Sequence, residues 1–139
     1  LLWHKCFTED TPLLILEHDA LFIQKLEHSV VLKSKFDIIG INSPAAATRK
    51  AHEFHDKVQA GRSLIQPVPT VDEFNVPQGL AGNSAYIIKP SGAKAILDAA
   101  REHGLWPNDA LMCKQIIPNL GVTKTYYTRV QGLPSTTVS

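Results

Sequence analysis

The sequence predicts an α/β fold in which helices pack on a mainly parallel sheet. Short apolar runs at residues 13–16, 36–42 and 84–90 alternate with segments of helical periodicity. Such alternation with short connections is typical of α/β layers. The chain has 139 residues and 44% hydrophobic residues, enough for one core but not comfortably for two. We therefore expect one domain over residues 1–139.

The chain opens with a predicted helix followed by a predicted central strand. In "LLWHKCF" the residues Leu2, Trp3 and Cys6 fall on one helical face. Thr11 and Pro12 end the helix, since the residue before a proline avoids the helical region. Residues 13–16, "LLIL", are continuously apolar, which is typical of a parallel strand buried on both faces.

The next segments are predicted as a helix, a strand and a long loop. Residues 21–33 have helical spacing at four positions, which are Phe22, Leu26, Ser29 and Val30. Residues 36–42, "FDIIGIN", predict a second buried strand. The polar, alanine-rich stretch 43–70 is too long for a plain connection, and it indicates a functional loop or a partly mobile insertion.

The last third of the sequence continues the alternation of predicted strands and helices. Residues 84–90 predict a third strand, and Ser91 is the expected cap of a helix that Gly104 ends. A shorter helix is expected over 108–117, "NDALMCKQII", and residues 122–128 are β-prone. The polar tail from Gln131 is assigned no structure.

Composition excludes several classes of protein. The net charge is only +1 and lysine and arginine form no basic run, so no nucleic-acid partner is expected. No apolar stretch approaches the ~20 residues of a membrane span, so no transmembrane segment is expected. The two cysteines, Cys6 and Cys113, have no CxxC spacing and form no disulfide framework. A reducing compartment fits, and we expect a cytoplasmic location.

Ionisable residues follow the first predicted strand directly. In an extended segment, residues i and i+2 point the same way, so Glu17 and Asp19 would direct two carboxylates to one side of the sheet's carboxyl edge. Open α/β sheets bind ligands at that edge. Two close carboxylates favour a divalent cation such as Mg²⁺ or Mn²⁺. Alternatively, the carboxylates cap the next helix or pair with a lysine.

Three blocks of the sequence resemble glycosyltransferase family 25. "PLLILEHDALF" is similar to the family's P-x-L-I-L-E-D-D-A-x-F block, with His18 in place of its second acid. "GNSAYIIKPSGAKAIL" resembles the G-x-x-A-Y-x-I-x-x-x-G-A-x-x-L segment, and "WPNDALM" resembles a later P-x-D segment. The blocks occur in the family's order and cover much of residues 1–120.

The resemblance implies a GT-A fold, a nucleotide-sugar donor and a divalent metal, Mn²⁺ or Mg²⁺, held by the acidic motif. It also implies inversion at the anomeric carbon. Asp19 is then the first candidate metal ligand, and Glu17 would assist through water or the donor's ribose hydroxyls. Asp109, in the "PND" turn, is the candidate base, with a helix cap as the alternative. The family's usual first part, a βαβ segment that helps hold the nucleotide base, would lie before Leu1.

Further candidates lie in the same blocks. Asn83, Ser84 and Tyr86 could bind donor or acceptor hydroxyls, or simply pack in the strand. His18 could be a third metal ligand, but neighbouring strand residues point to opposite faces, so we place it among the substrate-binding candidates. Outside the blocks, His52 and His55 have an i, i+3 spacing that could bind zinc, although a solvated surface is the expectation.

The sequence thus predicts a metal-dependent inverting glycosyltransferase. It would move a hexose, of galactose or glucose type, from a nucleotide sugar to a saccharide acceptor. The alternative is a non-catalytic or truncated relative that binds saccharide without transfer, which the His18 departure favours. A metal-dependent phosphohydrolase that uses the same carboxylates is a third hypothesis.

Overall fold

A computed structural model describes residues 2–45, 50–71, 79–80, 84–104 and 111–131. Its helices are α1 (Leu2–Thr8), α2 (His28–Lys33), α3 (Ala51–Ala60) and α4 (Pro90–His103). Its strands are β1 (Leu13–Leu16), β2 (Ala20–Phe22), β3 (Ile38–Gly40), β4 (Ile65–Pro67), β5 (Ala85–Ile88), β6 (Leu120–Thr123) and β7 (Thr128–Val130). The predicted α/β class is confirmed.

The main sheet is mixed rather than mainly parallel. Its strand order is β1-β5-β3-β6-β4. β3 and β6 run parallel, whereas β5 is antiparallel to both β1 and β3, and β4 is antiparallel to β6. The prediction of a mainly parallel sheet was wrong because apolar runs report burial and not the direction of the neighbouring strand.

β1 is the end strand of this sheet, as far as the described strands show, and not a central one. Leu13 and Ile15 pack against the core, but Leu14 and Leu16 are 41% and 44% exposed. β5 and β3, by contrast, are buried at every residue. The "LLIL" run therefore forms the expected strand, but the prediction that both faces of this strand are buried was wrong, because only one face is covered.

Helices cover both faces of the sheet. On one face α1 and α4 lie side by side, and Cys6, Ala93 and Ile96 join Tyr86 and Ile88 in the larger core cluster. The opposite face carries a smaller cluster that includes Val31 of α2, Phe36, Ile39, Ile41, Ala85 and Ile87. The strands between these layers are held in place by apolar burial on both sides.

The start of α4 is fixed against the beginning of β3. Lys89 is the N-cap residue and Pro90 occupies the first turn, so the prediction that Ser91 caps this helix was wrong. The Ser91 hydroxyl instead donates to Asp37 Oδ1 at 2.7 Å. A Cβ added at Gly92 would lie 2.5 Å from the Asp37 backbone oxygen. The absent side chain lets helix and strand approach closely, which gives a packing reason for this glycine.

We expect Gly92→Ala to destabilise the fold. In an exposed helix, replacing glycine by alanine would stabilise by about 1 kcal/mol. Here overpacking against backbone should outweigh that gain and give a net loss of about 1–3 kcal/mol in the free energy of unfolding. Urea denaturation measures it, with Lys94→Ala on the exposed face of α4 as control. A Gly92→Ala protein as stable as the Lys94→Ala control would contradict the close approach.

Two predictions between residues 21 and 70 were also wrong. Residues 21–33 do not form one helix, because β2 pairs with β7 and only α2 is helical. The stretch 43–70 contains α3, which buries Phe54 and Val58, and β4 at the sheet edge. Long-range pairing overrode the helical spacing around Phe22. In the second case, the prolines and the glycine of the stretch all lie outside α3, so they do not interrupt its ten helical residues.

The last third agrees better with its prediction. α4 ends at Gly104, whose φ of 90° suits glycine. Residues 122–128 do include strand, but it divides between β6 and β7. Of the helix predicted over 108–117, Leu111 is helical and residues 112–117 form turns and a bridge to Gly79, while residues 105–110 lie outside the described part.

Candidate functional site

The acidic motif forms a turn at the carboxyl end of β1. The Glu17 N–H donates to the Ser84 carbonyl at 2.8 Å, which continues the β1–β5 pairing by one residue. The Ala20 N–H then donates to the Glu17 carbonyl at 3.1 Å and closes a turn over residues 17–20. The motif is therefore not extended through Asp19. The strand period that we used to place both carboxylates on one side applies to Glu17 but not to Asp19.

Glu17 lies on the same face of the sheet as two of the predicted substrate-binding residues, and it is hydrogen-bonded to one of them. The Ser84 hydroxyl donates to Glu17 Oε2 at 3.4 Å. Tyr86 pairs with Ile15 across the sheet, so its side chain emerges on the same face as Ser84 and Glu17. The Trp3 indole N–H donates to the Tyr86 hydroxyl at 3.2 Å. The structure thus brings Glu17, Ser84 and Tyr86 together, with α1 holding the outer end of the group.

The Tyr86 hydroxyl keeps its proton over a wide pH range. Burial raises the pKa of Tyr86, and the negative charge of Glu17 raises it further, while the hydrogen bond from Trp3 opposes both effects. A phenol with a raised pKa remains a hydrogen-bond donor. Tyr86 can therefore offer an O–H to a carboxylate or to a ligand oxygen.

Asp19 carries an unpaired carboxylate oxygen. Its backbone oxygen accepts the Gln131 N–H at 2.9 Å, so the residue is anchored beyond the end of β7. Its Oδ1, however, is buried and has no hydrogen-bond partner. A buried acceptor without a partner costs free energy, and more so when it is charged. A bound cation would supply the missing partner.

The carboxylate oxygens of Asp19 and Glu17 are donors of the type that Mg²⁺ or Mn²⁺ would need if protein and substrate held the ion jointly. Within the described ranges, no group of three or more His, Cys, Asp and Glu side chains converges on one point. A closed protein cage is therefore not indicated there. Mg²⁺ is commonly held by one or two carboxylates, with waters and substrate phosphates completing its coordination. Asp19 would be the principal ligand, and Glu17 the second or a water-mediated one.

The structure gives less information on the other predicted site residues, His18, Asn83 and Asp109. His18 occupies a corner of the turn and is exposed. Asn83 and Asp109 lie outside the described residues, so their assignments stay predictions. None of the described helices is both long and apolar enough to cross a membrane.

His55 on α3 is half-buried and contacts an aromatic side chain. His55 Nδ1 lies 2.8 Å from the Tyr126 hydroxyl, and the rings are tilted by 48°. The expectation of a solvated surface holds for exposed His52 but is wrong for His55. The signal in the sequence was the i, i+4 pair Phe54 and Val58, which defines a buried helical face beside His55.

Fold and site together define an α/β protein with a carboxylate-bearing turn at the carboxyl end of a sheet strand. The family model for glycosyltransferase family 25, described as a lipopolysaccharide (LPS) biosynthesis protein, matches residues 1–112. The chain belongs to glycosyltransferase family 25, and it is a glycosyltransferase domain. Comparisons with curated proteins and with solved structures gave no match.

Proposed function

We propose that this chain transfers a hexose, of galactose or glucose type, from a nucleotide sugar to a saccharide acceptor. Transfer inverts the anomeric centre and depends on Mn²⁺ or Mg²⁺. The observation that carries the proposal is the buried, unpartnered Asp19 Oδ1 in the acidic turn of a family 25 chain. Family membership supports sugar transfer, and the unpaired carboxylate supports the metal.

The roles proposed for Asp19 and Glu17 follow from the negative charge of their side chains. When bound, the cation would neutralise negative charge that develops on the departing nucleoside diphosphate. Asp19 supplies the anionic ligand, and Glu17 is oriented by the Ser84 hydroxyl for a contact to water or a ribose hydroxyl. Asp109 is proposed to remove the proton of the attacking acceptor hydroxyl. Asn83, Tyr86 and His18 are proposed to bind substrate hydroxyls.

Three further statements, on the fold type, the cellular location and the biological process, belong to the same proposal. A GT-A arrangement is supported by the mixed sheet, with helices on both faces and the acidic turn at its carboxyl edge. A cytoplasmic location is supported by Cys6 and Cys113, which are both buried and form no disulfide. A function in lipopolysaccharide assembly is supported by the family description.

Calorimetric titration tests the function. UDP, GDP and their hexose conjugates are titrated into the chain with Mn²⁺ and again with EDTA. We expect at least one nucleotide to bind with Mn²⁺ and to lose binding in EDTA, because Asp19 and Glu17 alone would repel a diphosphate. Equal binding with and without Mn²⁺ would contradict the metal dependence.

The second candidate is a relative that binds saccharide without transfer. His18 favours it, because this exposed imidazole stands where the resembling block has an acid. Saccharide binding without any nucleotide binding in Mn²⁺ would select this candidate. Nucleotide binding followed by release of free nucleoside diphosphate in the presence of acceptor would select the transferase.

A further inference from the structure

A cavity opens beside the carboxyl end of β3, at a place separate from the acidic turn. Its volume is about 340 Å³, which is within the range of small-ligand sites. The lining comes from the segment after β3, from the first half of α3 and from the loop between β6 and β7. Its main lining residues are Ser43, Pro44, Ala45, His52, His55 and Tyr126.

His55 is held in one orientation by a chain of hydrogen bonds. The Gln59 side chain is hydrogen-bonded to the Tyr126 hydroxyl, and its amide also donates to the Lys124 carbonyl at 2.8 Å. In the neutral tautomer with its proton on Nε2, His55 Nδ1 accepts the hydrogen bond from the Tyr126 O–H. His55 can then donate from Nε2, and this is the tautomer that the proposal below uses.

The Tyr126 phenol, which contacts His55, stays protonated. Burial raises the pKa of Tyr126, the hydrogen bond from Gln59 opposes this, and the Asp56 carboxylate raises it again. The O–H that orients His55 is therefore retained across ordinary pH values. The arrangement does not depend on titration of the phenol near neutrality.

The lining suits a neutral, hydroxyl-rich ring. Pro44, Ala45 and Ala51 give an apolar wall. The Ser43 Oγ accepts the Ala45 N–H at 3.3 Å, which leaves the hydroxyl proton to donate. No Lys, Arg, Asp or Glu is among the described lining residues, and the nearby Asp56 charge would repel an anion. An apolar wall with a few directed polar groups is the usual form of a small-molecule site.

The cavity lies on the same edge of the sheet as the acidic turn. β1 and β3 both run antiparallel to β5, so their carboxyl ends meet at one edge. Two inter-strand steps separate them, or about 10 Å at the usual strand spacing. The backbone around β7 connects the two places, since Thr128 accepts the Ser43 N–H and Gln131 donates to Asp19. Two ligands could therefore lie side by side along this edge.

We propose that the cavity binds the acceptor as an uncharged saccharide ring, with His55 and Ser43 donating to its hydroxyls and Tyr126 orienting His55. The term acceptor rests on the proposed function, whereas saccharide binding at this place does not. Tyr126 is a positioning residue, and the sugar would sit about two strand spacings from the acidic turn.

NMR titration of the ¹⁵N-labelled chain tests the proposal. Methyl galactoside, methyl glucoside and N-acetylglucosamine are added without nucleotide or metal. We expect at least one sugar to give saturable shifts at Ser43, His55 and Tyr126. His55→Gln should weaken its binding about fivefold or more, as expected for a lost directed hydrogen bond. His28→Gln on α2, which removes an exposed imidazole that is not among the lining residues, should leave binding unchanged.

Tyr126→Phe provides the positioning test, because it keeps the ring and removes only the hydroxyl. We expect weaker sugar binding and a change in the His55 imidazole ¹⁵N shifts that report the tautomer. Shifts confined to other residues, shifts from inorganic phosphate instead of sugars, or no saturable shift with any sugar would each overturn the proposal. Mn²⁺-dependent nucleotide binding is measured separately on the same variants, so failure of the proposed function is distinguishable from failure of this inference.

Discussion

Asp19→Asn should abolish Mn²⁺-dependent nucleotide binding while leaving the protein at least as stable as the wild type. The amide keeps the size of the side chain but removes the negative charge that a hard cation requires. The same charge is a cost in the metal-free protein, since Oδ1 is buried without a partner. We expect affinity for a nucleoside diphosphate in Mn²⁺ to fall about 100-fold or more, given several kcal/mol for removing a charged partner.

Two measurements separate this role from a structural one. Calorimetry gives the affinity for the nucleotide in Mn²⁺, and urea denaturation gives the free energy of unfolding. Asp98→Asn is the matched control, because Asp98 forms an exposed ion pair with Lys94 on α4 at 2.7 Å. Exposed pairs of this kind contribute little. Unchanged nucleotide affinity in Asp19→Asn would remove Asp19 from the proposed metal site.

His18→Asp tests the departure from the family block at the same turn. The substitution restores an acid next to Asp19, and His18 is exposed, so the fold should tolerate it. We expect Mn²⁺-dependent nucleotide binding to be preserved or strengthened, because added negative charge favours a cation. Weaker binding in calorimetry would show that the imidazole itself takes part in binding.

The order of strands along the chain was more predictable than the way in which the strands pair. Apolar runs located β1, β3 and β5 correctly, because burial is written into composition over a few residues. They could not show that β5 is antiparallel to β1 and β3, since the pairing depends on residues far apart in the sequence. β2 illustrates the limit, because Leu21 and Phe22, which begin the predicted helix, pair with β7 instead.

The candidate site was predictable in part. The family-like blocks singled out Glu17, Ser84 and Tyr86, but the β1–β5 pairing that brings these residues close together was not predicted. The geometry of Asp19 was not foreseen, because a turn replaces the strand at that point. His55 and Tyr126 are 71 residues apart, and no local pattern links them.

Asp109→Asn should fold normally, bind nucleotide and acceptor almost unchanged, and lose about 100-fold or more in the rate of transfer. Asp109 lies outside the described residues, so this prediction rests on the "PND" block of the sequence. A helix cap and a general base require different properties of the side chain. Asparagine caps helices as well as aspartate does, but an amide cannot accept a proton from the acceptor hydroxyl.

The two roles therefore predict different outcomes for one substitution. If Asp109 only caps a helix, Asp109→Asn should match the wild type in both stability and transfer, whereas Asp109→Ala should lose about 1 kcal/mol of stability. If Asp109 is the base, kcat falls in both variants while KM changes little, because an interaction needed in the transition state has been removed. The assay follows release of nucleoside diphosphate in saturating donor and acceptor, with Asp98→Asn as control. Full transfer by a well-folded Asp109→Asn protein would mean that another group takes the proton.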